Sequence, residues 1–179
     1  MKIFCIGFHK TGTTSLAKAL EHLGYKVRHG YKPHSDIMAN DLRQKRPGLE
    51  SLEAEHGAHD AYLDLYTLRM NFPAFDNDYP GAKFIMTTRD DTAWVESCKR
   101  QRQKRSDSPY YHYWYYQSID QWKLEKMAHE YAVRAYFSER PDDLLIMDIT
   151  KGAGWDELCS FLGVSKPEIE FPHLNQSNK

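Results

Sequence analysis

The first two dozen residues constrain the fold of this chain more than any other stretch does. They predict a strand over residues 2–6 that ends at Gly7, a turn over residues 8–14, and a helix over residues 15–23. The apolar residues of that helix fall on one face, at spacings of 3, 1 and 3. A strand, a glycine-framed turn and a helix N-terminus together predict an anion cradle, because free N–H groups and the helix dipole both favour negative charge.

The turn departs from the loop of nucleotide triphosphatases, which follows the pattern G-x-x-x-x-G-K-[ST]. Gly7 and Gly12 keep the separation of that pattern, and Thr14 keeps its hydroxyl. Thr13 stands where the phosphate-binding lysine would be, and the nearby lysine, Lys10, lies inside the loop. The lysine, the glycines and the hydroxyls are therefore positioned to bind an anion. The alternative is that this stretch is an ordinary turn between a strand and a helix, with no ligand.

A lysine placed before the glycine, with hydroxyls stacked after it, resembles the 5′-phosphosulfate loop of sulfotransferases, Lys-x-Gly-Thr-Thr. The resemblance implies that the chain uses 3′-phosphoadenosine 5′-phosphosulfate as donor and not ATP. It also implies that Lys10 is catalytic, since an ammonium stabilises the charge that builds on the oxygen bridging phosphate and sulfate. The residues that would bind the donor at this loop are Lys10, Thr11, Gly12, Thr13, Thr14 and Ser15.

Composition narrows the class of protein. A length of 179 residues suggests one domain over residues 1–179, and a net charge of −1 gives no bias toward nucleic acid or an anionic membrane. Cys5, Cys98 and Cys159 are far apart and fit neither a disulfide framework nor a zinc spacing. No apolar run approaches the ~20 residues that span a bilayer. We therefore expect a cytoplasmic protein with no nucleic-acid or membrane partner.

Strands alternate with helices along the chain, and the central strands are nearly continuous apolar runs. This pattern is typical of a parallel sheet with both faces covered, so we predict an α/β three-layer sandwich with a central parallel sheet. The resemblance implies the fold of P-loop nucleotide hydrolases. Further strands are predicted over residues 25–28, 61–63, 83–88 and 144–149. Further helices are predicted from residue 35 or 36 to about 45, over 49–56, up to 79 with a break at Pro73, from 90 or 91 to 105, from about 110 to 138, and over 155–162.

Polar residues follow four of the predicted strands, at the edge where open α/β sheets bind ligands. They are the Lys10 loop, Asp64, Arg89, and Thr150 with Lys151. Because the carboxyl ends of parallel strands share one edge of a sheet, these residues predict a single site.

Arg89 and Ser97, eight residues apart, form the second part of the resemblance. Sulfotransferases are similar in having an arginine at a strand end and a serine eight positions later, which bind the 3′-phosphate of the donor. An arginine suits this task because its planar fork donates two hydrogen bonds to one phosphate. Taken alone, Arg89 would equally fit an ion pair with a nearby aspartate that caps the next helix.

A late Lys-Gly segment, Lys151 and Gly152 followed by Gly154 and Trp155, is the third part. It resembles the Arg-Lys-Gly segment that closes over the 3′-phosphate in many sulfotransferases, but Thr150 stands in place of the arginine. The resemblance implies that Lys151 binds the donor, and a plain turn between a strand and a helix remains the alternative. A Phe-Pro-His-x-Asn sequence at residues 171–175 is similar to one found in the compact prokaryotic-type branch of the family.

The base is assigned by resemblance to Asp64, which stands where cytosolic sulfotransferases have a histidine. A carboxyl group with its ordinary pKa of ~4 is a weak base, so burial would have to raise the pKa. Asp64 would otherwise position the acceptor or cap the next helix. His34 and His59 are further candidates.

We expect no metal requirement, because the sequence shows no cluster of metal ligands. A Mg²⁺-dependent kinase needs an acidic residue at the end of a buried strand, and Asp148 would fill that place. An ATP-dependent P-loop phosphotransferase therefore stays open, as does a non-catalytic nucleotide-binding scaffold.

The acceptor, a small molecule or a glycan, is not identified by the sequence. Residues 31–59 and 106–136 would line its pocket. The basic run at 99–105 would either bind an anionic acceptor or form a solvated helix end. The aromatic block at 110–116 would line the pocket, form a lid, or form an interface, in which case exposed aromatic residues would favour a homodimer.

Overall fold

Five parallel strands form the sheet that organises the chain. In the computed structural model, which describes residues 1–30, 32–104 and 117–174, their order is β2-β3-β1-β4-β5. All four neighbouring pairs are parallel, so the five carboxyl ends share one edge. The strands are β1 Ile3–Cys5, β2 Val27–His29, β3 Ala61–Leu63, β4 Lys83–Thr87 and β5 Leu144–Met147.

Helices connect the strands and cover both faces of the sheet. They are α1 Thr13–His22, α2 Lys32–Arg43, α3 Glu50–His56, α4 Tyr66–Met70, α5 Phe72–Asp78, α6 Asp91–Lys104, α7 Ile119–Tyr136 and α8 Trp155–Leu162. Short 3₁₀ turns occupy Pro141–Asp143 and Ile149–Lys151.

The helix predicted up to residue 79 with a break at Pro73 is interrupted there: α4 ends at Met70, and α5 begins at Phe72 with Pro73 in its first turn, where a missing N–H costs nothing. Other predicted bounds differ from the structure. β5 ends before residue 149, because the Asp148 carboxylate accepts a hydrogen bond from the Thr150 N–H at 3.0 Å and starts a 3₁₀ turn. α2 begins at Lys32, ahead of the predicted start. The predicted helical stretch from 110 to 116 lies outside the described residues.

The core divides into two layers because side chains alternate along each strand. Phe4 and Ile6 face a cluster with α2, α3, α4, α5 and α7, whereas Ile3 and Cys5 face a cluster with α1 and α8. Helices therefore cover both faces of a central parallel sheet, which confirms the predicted α/β three-layer architecture.

The end of β1 is held by its neighbours before the loop begins. The Ile6 N–H donates to the Ile85 carbonyl at 2.9 Å, and the buried imidazole of His129, on α7, donates from Nε2 to the Ile6 carbonyl at 2.7 Å. Gly7 follows and packs directly on Thr87 of β4: a methyl group there would overlap the Thr87 hydroxyl and carbonyl oxygen and lie 2.7 Å from its nitrogen. No residue larger than glycine fits this contact.

We predict that Gly7→Ala costs roughly 3 kcal/mol or more of folding free energy, because the obstructing atoms belong largely to backbone and cannot rotate away. Urea denaturation measures the loss. The matched control is Gly24→Ala, where φ is 86° and no atom lies within 4 Å of the added carbon, so only backbone strain of about 1 kcal/mol is expected. Equal losses in the two variants would contradict the steric argument.

Burial lowers the pKa of His129 to about 4, with the positive charge of Arg69 contributing and the hydrogen bond to Ile6 opposing. The unfolded chain binds this proton below pH ~6.5, whereas the folded chain does not until about 4. Stability from this group is therefore present above ~6.5 and falls by up to about 3 kcal/mol as the pH drops toward 4.

We predict that His129→Gln, which keeps an N–H donor but no titrating proton, shows a shallower loss of stability between pH 6.5 and 4 than the parent chain. Denaturant unfolding at a series of pH values measures this slope. The control is His22→Gln, at an exposed position of α1. If the unfolding free energy of His129→Gln fell as steeply with pH as that of the parent chain, another group would be the one that titrates.

Candidate active site

The loop between β1 and α1 takes two left-handed backbone turns. Lys10 has φ of 67° and Gly12 has φ of 104°. A side chain on Gly12 would also press on Ile149, with its Cβ 3.2 Å from Ile149 Cδ1. Gly12 is the N-cap of α1 and supplies no side-chain cap. The first N–H groups of the helix therefore remain for a ligand, and the positive φ of Lys10 is strain of the kind found at functional sites.

Three loop hydroxyls have different environments. Thr11 is fully buried; its hydroxyl donates to the Phe8 carbonyl and lies 2.7 Å from Thr87 Oγ1, so it ties the loop to β4. The buried Thr13 hydroxyl lies 3.3 Å from Nε2 of His29. Ser15 Oγ accepts a hydrogen bond from the backbone N–H of Leu174 at 2.9 Å. The predicted donor-binding residues lie together, but the Thr11 side chain turns inward and leaves only its backbone for a ligand.

Arg89 leaves the end of β4 and reaches the loop. Its Nη1 donates to the Lys10 carbonyl at 3.3 Å, and Lys10 Nζ lies 3.4 Å from Gln101 Oε1 on α6. Among the described residues, Arg89 Nε is buried and has no hydrogen-bond partner, and Arg89 forms no ion pair. Asp90 instead caps α6 by accepting the Ala93 N–H at 3.0 Å, which lowers the pKa of Asp90. The capping alternative for Arg89 is therefore wrong.

Positive charge converges beside Ser97. Ser97 and its neighbour Cys98 are buried on α6. Burial raises the pKa of the Cys98 thiol to about 12, against the opposing charges of Lys10, Arg89 and Arg102. Three cations thus act on one side of the loop. A chain with a net charge of −1 has a locally positive site, suited to a polyanionic ligand.

Asp64 lies at the end of β3, on the other side of the loop. It has φ of 53° and is half-buried. Gly30, after β2, approaches it closely, since a methyl group on Gly30 would lie 3.4 Å from the Asp64 Cβ. Burial raises the pKa of Cys5 to about 11, and the charge of Asp64 adds to this shift, which places the carboxylate near the end of β1.

His29, the last residue of β2, contacts the loop and was missed by sequence reasoning. The sequence feature that could have indicated His29 is its position directly after a predicted strand. His59 precedes β3, at the amino edge of the sheet, where its carbonyl accepts from Lys2 Nζ at 2.8 Å. The ring of His34 packs 4.9 Å from that of His56 on α3, and burial lowers the pKa of His34. Neither candidate base contacts the loop through any residue that the structure describes.

Lys151 lies in the 3₁₀ turn after β5, on the same sheet edge as the loop. Its side chain is 71% exposed, and Nζ lies 4.0 Å from Asp148 Oδ2. Its charge helps to lower the pKa of Asp90, the neighbour of Arg89, after the backbone hydrogen bonds that dominate that shift. Lys151 is thus near the Arg89 side of the site. Asp148 serves as the cap of this turn.

The chain's last described residues run from α8 to the start of α1. Phe171 packs on Trp155 with ring centroids 5.0 Å apart, and Trp155 Nε1 donates to the Ile169 carbonyl at 2.7 Å. Leu174 then contacts Ser15. Asn175, Arg105 and the aromatic block at 110–116 lie outside the described residues.

Within residues 1–30, 32–104 and 117–174, no group of three or more His, Cys, Asp or Glu residues is arranged to hold a metal ion. None of the helices described there combines the length and the apolar character that a membrane span needs.

Comparison with known proteins places this chain among sulfotransferases. The sequence profile of the sulfotransferase domain family matches residues 2–131 and 122–179. The Ava biosynthesis cluster protein M of Aspergillus versicolor is 27% identical, over 99% of this chain and 82% of that protein.

A sulfotransferase from Alicyclobacillus acidocaldarius superposes with a TM-score of 0.58 at 12% identity, covering 99% of this chain and 86% of that one, which shows the fold. A gluconokinase from Sinorhizobium meliloti 1021 reaches a TM-score of only 0.35, which supports no relationship. With the family profile matched along almost its whole length, this chain belongs to the sulfotransferase domain family and is a sulfotransferase.

Proposed function

We propose that this sulfotransferase moves a sulfuryl group from 3′-phosphoadenosine 5′-phosphosulfate to a hydroxyl or amine of an acceptor. The observation that carries the donor assignment is Arg89. Its guanidinium touches the Lys10 carbonyl while its buried Nε has no partner among the described residues. Arg89 therefore keeps an N–H donor at the edge of the loop, and an anion is the acceptor that a guanidinium binds most strongly.

The 5′ and 3′ ends of the donor would contact different groups of residues. The 5′-phosphate end would lie on the first N–H groups of α1, with the hydroxyls of Thr13, Thr14 and Ser15 around it. The 3′-phosphate would lie between Arg89 and Ser97, with Lys151 on the same side. The converging cations beside Cys98 support this arrangement, since the donor carries several negative charges.

In the transfer, the acceptor oxygen or nitrogen bonds to sulfur while the bond from sulfur to the phosphate-bound oxygen breaks. The electron pair leaves with that oxygen, giving adenosine 3′,5′-bisphosphate. Lys10 would stabilise the charge developing there. Asp64, at the opposite side of the loop, would take the acceptor's proton or hold the acceptor in place. These steps need no metal.

A small-molecule acceptor is the narrower proposal. It is motivated by the relative from Aspergillus versicolor, whose name places it in a biosynthesis cluster. The kinase alternative gains no support from the site, because Thr13 replaces the phosphate-binding lysine and Asp148 caps its own turn.

We predict that the chain binds adenosine 3′,5′-bisphosphate without Mg²⁺, and that Arg89→Ala weakens binding by about tenfold or more, because a charge-assisted contact to phosphate is lost. Isothermal titration calorimetry measures both. Arg89→Lys should recover only part of the affinity, since it keeps the charge but not the fork. Arg134→Ala, at an exposed position of α7, is the control. Preference for ATP with Mg²⁺ would instead support the kinase.

We predict that Lys10→Met lowers the rate of sulfuryl transfer by roughly 10²–10³, and more than it lowers bisphosphate affinity, because the ammonium acts chiefly on charge that develops in the transition state. Transfer of labelled sulfate from the donor to water or to a panel of simple phenols measures the rate. Lys18→Met, an exposed lysine on α1, is the control. An unchanged rate in Lys10→Met would remove Lys10 from the mechanism.

A further inference from the structure

We propose that His29 is a positioning residue of the donor site: its Nε2–H donates to the Thr13 hydroxyl, so that the proton of that hydroxyl is left to bind the 5′-phosphate of the donor. This inference rests on the proposed function, because it assigns a contact to the same nucleotide.

The strand pattern explains why His29 reaches α1. Val27 packs in the cluster formed with α1 and α8, and side chains two residues apart in a strand share one face. His29 therefore faces the same layer, at the carboxyl end of β2, in register with Leu63 of β3. From there Nε2 lies 3.3 Å from Thr13 Oγ1, in the first turn of α1.

The direction of this hydrogen bond decides what Thr13 can offer. If Nε2 lacked a proton, the Thr13 hydroxyl would donate to it and present only lone pairs to the cradle, where they would repel an anion. If Nε2 carries the proton, the hydroxyl accepts from His29 and keeps its own proton for the anion. A phosphate beside Thr13 therefore selects the second arrangement, in which histidine and hydroxyl form a chain of donors.

Ser15 follows the same rule with a donor that cannot reverse. Ser15 Oγ accepts from the backbone N–H of Leu174 at 2.9 Å, so the hydroxyl proton of Ser15 is not used in this hydrogen bond. Thr11 is the contrast, because its proton is used on the Phe8 carbonyl. In the proposed arrangement Thr13 and Ser15 thus both accept from outside the loop, whereas Thr11, which holds the loop, donates within it.

The test compares two ligands that differ only at the 5′ end. Adenosine 3′,5′-bisphosphate carries the 5′-phosphate, and adenosine 3′-monophosphate lacks it. We expect His29→Leu and Thr13→Val each to weaken the bisphosphate by about tenfold. Neither should change the affinity for the monophosphate, which reports that the fold and the Arg89 side of the site are intact. His29→Gln, whose amide supplies an N–H, should restore most of the bisphosphate affinity.

The double variant makes the test specific. If His29 acts through Thr13, adding His29→Leu to Thr13→Val causes no further loss, whereas independent effects would multiply to about a hundredfold. Three outcomes would overturn the role of His29. The losses of affinity could multiply in the double variant, the two ligands could lose equal affinity, or His29→Gln could fail to restore the affinity for the bisphosphate. A parent chain that binds neither ligand would overturn the donor assignment itself, and the role of His29 with it.

Discussion

The site depends on the contact between Gly7 and Thr87, where the backbone leaving β1 lies directly against the end of β4. There is no space for a Cβ on Gly7, and the Thr87 hydroxyl is hydrogen-bonded to Thr11 from the loop. The loop therefore packs against the end of β4. Because β1 pairs with both β3 and β4, a displacement of this end of β4 would move the loop together with the rest of the sheet.

The same strand also leads to Arg89, which is proposed to bind the 3′-phosphate of the donor. Two residues after Thr87, Arg89 turns back and donates to the Lys10 carbonyl. Thr87, at the end of β4, thus packs against the loop proposed to bind the 5′-phosphate, and the residues directly after the strand include the arginine proposed to bind the 3′-phosphate.

Much of this arrangement could be predicted from sequence, because it depends on local order. Glycine spacing located the loop, and apolar runs located the strands that end in Asp64 and Arg89. Contacts between distant segments could not be predicted. The contact of His29 with Thr13 requires knowing that β2 lies beyond β3 and which face His29 takes. The inward turn of the Thr11 hydroxyl depends on β4 in the same way.

Two contacts between distant segments meet at the start of α1. Thr13 and Ser15 both lie in the first turn of α1, yet their hydroxyls contact segments that are far apart in the sequence, β2 and the stretch that includes Leu174. Isolated hydroxyls at a helix start would rotate freely and lose entropy on binding an anion. With the proposed donation from His29, both hydroxyls are already oriented by outside donors and lose less entropy, so the surrounding fold would contribute affinity through preorganisation without contacting the ligand.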